Sequence, residues 1–239
     1  MVERVLELSA RHPRYGYRRV TALLRREGWR VNRKRVHRIR RREGLKVVIR
    51  QRKRRRLGSA GGGCRRRRAE CRNQVWSYDF VMDQTEDGRR LKMLPVVDEY
   101  TRECLTVEVE RRFTAQDVVR TLARLFKERG APQFIRSDNG PEFVATAVKE
   151  WLAASGVSTL YIEPGSPWEN AYVESFNSRF RDELLDREVF TSLIEAKVLV
   201  ADYVGGYNDE RPHSALGYET PAAFAAAQNI NSTLTQLGT

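Results

Sequence analysis

Sulfur and imidazole are scarce in this chain of 239 residues, which holds only three cysteines, three methionines and three histidines. Cys64, Cys71 and Cys104 are odd in number, and six residues separate the first two. That spacing suits neither a disulfide framework nor a zinc knuckle, even with His12, His37 and His213 as further ligands, so all three read as ordinary thiols. Long apolar runs are missing too. No stretch approaches the ~18 residues of a membrane span, and charge within the first three positions argues against a secretory signal. No membrane partner is expected, and the expected location is the cytoplasm, in association with the nucleoid. Acidic residues are absent mainly from one place: residues 1–75 carry 5 against 27 Lys and Arg, whereas the remainder carries 26 against 17. A stretch so positive cannot be a neutral globule, and its natural partner is a polyanion whose counterions it releases.

Within that basic third, apolar spacing predicts three helices. Val2, Val5 and Leu6 define the apolar face of the first, and Val20, Leu23 and Leu24 that of the second, which Gly28 ends. Asn32 caps a third helix with Val36 and Ile39 inward and Gly44 as its stop. Two helices joined by a glycine turn make a helix-turn-helix, with Arg33, Lys34, His37, Arg38 and Arg41 on the face for the major groove of double-stranded DNA. Residues 1–46 are thus expected to bind DNA. Residues 47–72, two arginine blocks around a glycine-rich joint, form a basic flexible linker.

From Gln74 the pattern alternates. QVWSYDFVMD reads as a strand, and LKMLPVVDEYTRECLTVEVE as two strands about a turn at Asp98 to Thr101. The helix AQDVVRTLARLFKERG follows, ended by Gly130. Then come a fourth strand, QFIRSDNG, the helix VATAVKEWLAASG, a fifth strand, VSTLYIEPG, and a helix from about Pro167 to Asp186, opened by a capping box of Ser166 and Glu169. The fold class is therefore α/β, a mixed five-stranded sheet with flanking helices over residues 73–190, in an order compatible with a ribonuclease-H-like architecture. Residues 191–239 form a C-terminal helical extension and tail.

Three acids in this core invite chemistry. Asp79 sits inside the apolar first strand, where a charge is costly unless compensated. Asp138 lies where the fourth strand turns, and Glu174 is on the third core helix. Converging carboxylates repel, so they need cations, and hard oxygen ligands select Mg²⁺ or Mn²⁺. Two such ions can activate a nucleophile on one side of a phosphorus and stabilise the leaving oxygen on the other. Glu174 shares its helix stripe with Asn170, Asn177 and Arg181, two amides and a cation suited to DNA phosphate. Spacing alone leaves Asp83, Asp98, Glu142 and Glu169 as alternative acids.

Six segments carry a resemblance: RHPRYGYRRV…GWRVNRKRVHRI, WSYDF, VVDEYTREC, IRSDNGPEF, ENAYVESFNSRFRDELL and YNDERPHSALGYETPAAF. In that order they resemble the B-frame subunit of bacterial insertion-sequence transposases of the insertion-sequence-three family, with a retroviral-integrase-like core. The resemblance implies a DDE triad at Asp79, Asp138 and Glu174 with a basic companion at Arg181. It implies cleavage at transposon ends and joining of the freed 3′-hydroxyl to target DNA, using two Mg²⁺ or Mn²⁺ ions and no covalent protein–DNA intermediate. The partners it implies are terminal inverted repeats, target DNA, further copies of the chain, and an upstream-frame subunit fused by frameshift. Asn208, Arg211 and His213 match a motif whose expected role is a structural contact, with a DNA contact as the alternative. The competing readings are a non-joining nuclease of the same fold and a DNA-binding protein whose core has decayed.

Overall fold

The computed structural model describes residues 1–47, 68–137, 146–161 and 170–228. It divides into two compact units, one of Met1–Arg66 with Arg211–Glu219, the other of Arg67–Glu210 with Thr220–Thr239. Most of the expected linker, residues 48–67 with Cys64, lies outside the described residues.

In the first unit, helices α1 (Val2–Arg11), α2 (Tyr17–Arg26) and α3 (Arg33–Arg42) close around Val5, Leu8, Tyr15, Val20, Leu24, Val31, Val36 and Ile39. The buried face of α1 runs through Val5, Leu8 and Ser9. Leu6, expected on that face, is instead 39% exposed, because its position points one residue away from the stripe that three-helix packing selects. Gly28 adopts φ 88°, which lets the Trp29 N–H return to the Leu24 carbonyl and stop α2. The Asn32 side chain then accepts from the Lys34 and Arg35 N–H groups, so the predicted cap opens α3. Arg40 is buried on α3, where it donates to Ser9 Oγ and the Leu45 carbonyl; burial lowers its pKa.

The second unit is built on one mixed sheet. Its strands are β1 (Val75–Tyr78), β2 (Val81–Gln84), β3 (Arg90–Asp98), β4 (Cys104–Glu110), β5 (Phe134–Ser137) and β6 (Ser158–Tyr161). β1 and β2 are two halves of one strand. Trp76, Ser77 and Tyr78 pair with Asp98, Val97 and Val96, and Val81 to Gln84 continue in the same register along Met93 to Arg90. Counted this way there are five strand positions, β4–β3–β1/β2–β5–β6, with β1, β5 and β6 parallel. The interruption falls at Asp79 and Phe80. Pro95, across the gap on β3, has no N–H to offer, and the Phe80 N–H is diverted to Asp79 Oδ1 at 2.7 Å.

Helices α4 (Ala115–Arg129) and α5 (Thr146–Ala154) cover one face through Val118, Leu122, Leu125, Val148 and Leu152, packed on Trp76, Tyr78, Leu94, Val96 and Ile135. The other face carries α6 (Ala171–Phe180), a π-helical turn (Arg181–Leu185) and α7 (Leu193–Asp209). There Val173, Phe176 and Phe180 meet Leu91, Met93 and Val97. The regular part of α6 begins at Ala171 after Asn170, and the capping box expected at Ser166 and Glu169 lies outside the described residues.

Candidate active site

Alternation along β1 decides which side chains reach α6. Trp76 and Tyr78 enter the core beneath α4, so Ser77 and Asp79, offset by one, face the other side. Asp79 is half-buried at the break in the strand, and Asn177 Nδ2 on α6 donates to its Oδ2 at 3.0 Å. One helical turn back on α6 stands Glu174, exposed while its neighbour Val173 is buried in the core. Asp79 is thereby tied to the helix that carries Glu174. Asp138 lies outside the described residues, as does Glu142. Among the described residues no group of three His, Cys, Asp or Glu side chains forms a ready metal site.

The stripe expected to touch DNA divides into different roles. Asn170 stands at the N-terminus of α6 at only 3% exposure, and among the described residues its Oδ1 is buried without a hydrogen-bond partner, as is Asn177 Oδ1. Arg181, at the start of the π-helical turn, is exposed and donates through Nη2 to the Met82 carbonyl at 3.0 Å, tying α6 to β2. In the first unit Arg33, Lys34, His37, Arg38 and Arg41 are all exposed along α3. The His37 ring also meets that of Tyr17 at 4.7 Å in a tilted contact, and the Arg33 guanidinium lies 5.0 Å above the Tyr218 ring.

Asp98 is a turn residue. Its Oδ1 accepts from the Tyr100 and Thr101 N–H groups and its Oδ2 from the Asn73 N–H, while burial raises its pKa. Asp83 bonds the Gln84 N–H on β2. Burial raises the Cys104 thiol, which stays protonated and inert, and Cys71 is exposed.

Sequence reasoning missed a buried ion pair. Arg136 on β5 and Glu99 just after β3 meet at 2.8 Å, with side chains 4% and 0% exposed. Such a pair survives desolvation only with good geometry, and removing one partner strands the other charge. Arg136 stands two positions before Asp138, so the pair braces the end of β5 from which that residue emerges. The available signal was a charge inside the apolar run FIRS. Asn208 has a defined structural place as well: its Oδ1 accepts from the Cys104 N–H and its Nδ2 donates to the Cys104 carbonyl, clamping the start of β4. Arg211 is buried and His213 half-buried.

Similarity to known proteins extends over both units. Residues 69–167 and 155–221 match family models described as integrase core domain, and residues 1–54 one described as HTH-like domain. The magnesium complex of the HTLV-2 integrase catalytic core domain superposes with TM-score 0.53 at 17% identity, covering 66% of this chain and 99% of that one. The fold is ribonuclease-H-like, and the matched integrase core makes the chain a polynucleotidyl transferase. The 31.7 kDa protein of insertion element IS407 from Burkholderia multivorans is 42% identical over 226 residues, which are 95% of this chain and 80% of that protein. Transposase InsD for insertion element IS2D from Escherichia coli is 28% identical over 237 residues, covering 92% and 76% of the two. This chain belongs to the insertion-sequence DDE transposases, and it is an enzyme of DNA transposition and integration.

Proposed function

We propose that Asp79, Asp138 and Glu174 are the acidic triad of this transposase and hold a pair of divalent ions, Mg²⁺ or Mn²⁺. The observation that carries this reading is the hydrogen bond from Asn177 to Asp79, which sets Glu174 one turn away on the same helix. Strand register supports the third member. Ser77 pairs with Arg136 on parallel strands, and Asp79 and Asp138 each follow two positions later.

The donor set fits the ions: carboxylate oxygens, with the buried Asn170 and Asn177 amide oxygens that have no hydrogen-bond partner among the described residues, and no thiolate or imidazole in the set. Bound there, such ions activate water or a 3′-hydroxyl and stabilise the leaving oxygen. The chain's own part is positioning. Asn177 fixes the rotamer of Asp79, the Arg136–Glu99 pair steadies the end of β5, and the tie from Arg181 to the Met82 carbonyl holds the end of α6 against β2. Arg181 and the α6 amides also offer donors to the phosphates of the reacting strand.

Substrate follows from the two units together. The exposed basic face of α3 recognises transposon terminal repeats, and the core cuts them and joins the 3′-hydroxyl to target DNA. Two ends must be paired, so the acting species is a multimer, and an upstream-frame subunit is a further partner. The test uses labelled end duplexes with Mg²⁺: Asp79→Asn, Asp138→Asn and Glu174→Gln each abolish cleavage and strand transfer while duplex binding stays near wild type. Wild-type activity in any of them removes that residue from the triad, and cleavage without joining by the native chain would define a nuclease.

A further inference from the structure

The first unit contains a cavity of about 280 Å³ that the DNA-reading face of α3 does not account for. Its wall brings together Arg18, Arg25 and Arg26 of α2, Arg33 at the start of α3, and Tyr218 and Glu219 of the segment Arg211–Glu219. Four arginines and one glutamate thus line the same space, Arg25 with its Nε on the Val31 carbonyl and Arg18 with its Nε on the Tyr17 hydroxyl. Elsewhere in the unit Glu7 and Glu27 pair with Arg4, and Glu43 with Arg42. Like charges so gathered repel and favour an anion between them.

The segment is shaped for this position. The His213 carbonyl accepts from the Leu216 and Tyr218 N–H groups, and the His213 N–H donates to the Glu219 carbonyl, closing a tight loop. Inside it Gly217 and Tyr218 take φ 66° and 75°. A side chain as large as tyrosine in the left-handed region is strained, and such strain persists only where the surroundings impose it. Its outcome here is an aromatic ring set 5.0 Å beneath the Arg33 guanidinium, a stacking that aims a flexible cation.

We infer that this cavity seats a backbone phosphodiester of double-stranded DNA beside the recognition helix, with Tyr218 and its loop as part of the DNA-binding surface. The inference rests on the reading of the first unit as the DNA binder. In a helix-turn-helix the helix preceding the recognition helix crosses the DNA backbone, which is where Arg18 and Arg26 stand on α2. Arg33 opens α3, so the positive end of that helix dipole adds to the same place. Phosphate contacts position the protein without reading sequence, which separates this seat from the exposed side chains farther along α3.

The experiment measures binding of the full chain to a transposon-end duplex and to an unrelated duplex by fluorescence anisotropy across a salt series. Arg18→Gln is expected to weaken both duplexes alike and to lower the slope of log K against log salt by about 0.9. Tyr218→Gly, which keeps the left-handed backbone while removing the ring, is expected to weaken both about three- to tenfold with an unchanged melting temperature. Arg38→Gln on the exposed face of α3 serves as the reference. If it weakens binding while Arg18→Gln and Tyr218→Gly leave affinity and slope unchanged, the seat is overturned and the DNA-binding reading stands. If inorganic phosphate raises the melting temperature of wild type but not of Arg18→Gln, while the slopes agree, the cavity takes a free anion and the DNA assignment is overturned. A wild-type chain that binds neither duplex overturns both readings.

Discussion

The two units use charge in opposite ways. In the helical unit a small core of eight buried side chains carries a surface of arginines, most of them exposed to water and all of one sign. In the sheet unit the important charges are few and individually held: Asp79 by Asn177, Glu99 by Arg136, Asp98 by three backbone N–H groups. The contrast teaches that attraction to a polyanion tolerates mobile cations in water, whereas phosphoryl transfer needs oxygen atoms set against one another by a rigid scaffold. Substitutions should therefore sort by unit, binding failing in one and chemistry in the other.

The largest separation comes from the triad, where the substitutions at Asp79, Asp138 and Glu174 remove strand transfer and spare binding. Salt acts on the opposite side. Raising it from 50 to 200 mM should weaken duplex binding by about 10³–10⁵ if six to ten phosphates are contacted, and a flat titration would break the assignment of binding to the basic third. Next stands Leu24→Ala, which empties the centre of the helical core at a cost of about 2–5 kcal/mol. Limited proteolysis should then show that unit opening while the sheet unit resists, and simultaneous loss of both would erase the distinction drawn here. Asn177→Ala should lower strand transfer by about 10–100-fold without altering duplex affinity, as expected of a group that orients a ligand rather than DNA. Asp98→Asn removes an acceptor from a buried turn and turns an amide toward the Asn73 N–H, so urea unfolding of the sheet unit should show a loss of about 1–3 kcal/mol with no direct effect on binding.

Much of this was legible in the chain. The helix cap at Asn32, the stops at Gly28, Gly44 and Gly130, and the strand–turn–strand around Asp98 follow from local chemistry, which tertiary contacts did not overrule. Leu6 failed because a ten-residue helix offers two adjacent apolar stripes, and only packing against α2 and α3 chooses between them. The division of the α6 stripe was also hidden. Periodicity put Asn170, Asn177 and Arg181 in line with Glu174, but one amide is buried, one holds Asp79 and the arginine binds a carbonyl of β2. The Arg136–Glu99 pair joins residues 37 apart, a distance at which sequence pattern carries no information.

Composition and motif order by themselves determined the class of partner, the alternation of strands and helices, and the identity of the candidate acids, because charge, apolar period and turn chemistry are properties of neighbours along the chain. Tertiary structure alone decided that β1 and β2 are one strand broken at Asp79, that Asn177 meets that carboxylate, and that Arg211–Glu219 folds into the same unit as the first three helices. Each of these depends on which surfaces meet when the core closes, a choice made by packing between segments that the chain keeps far apart.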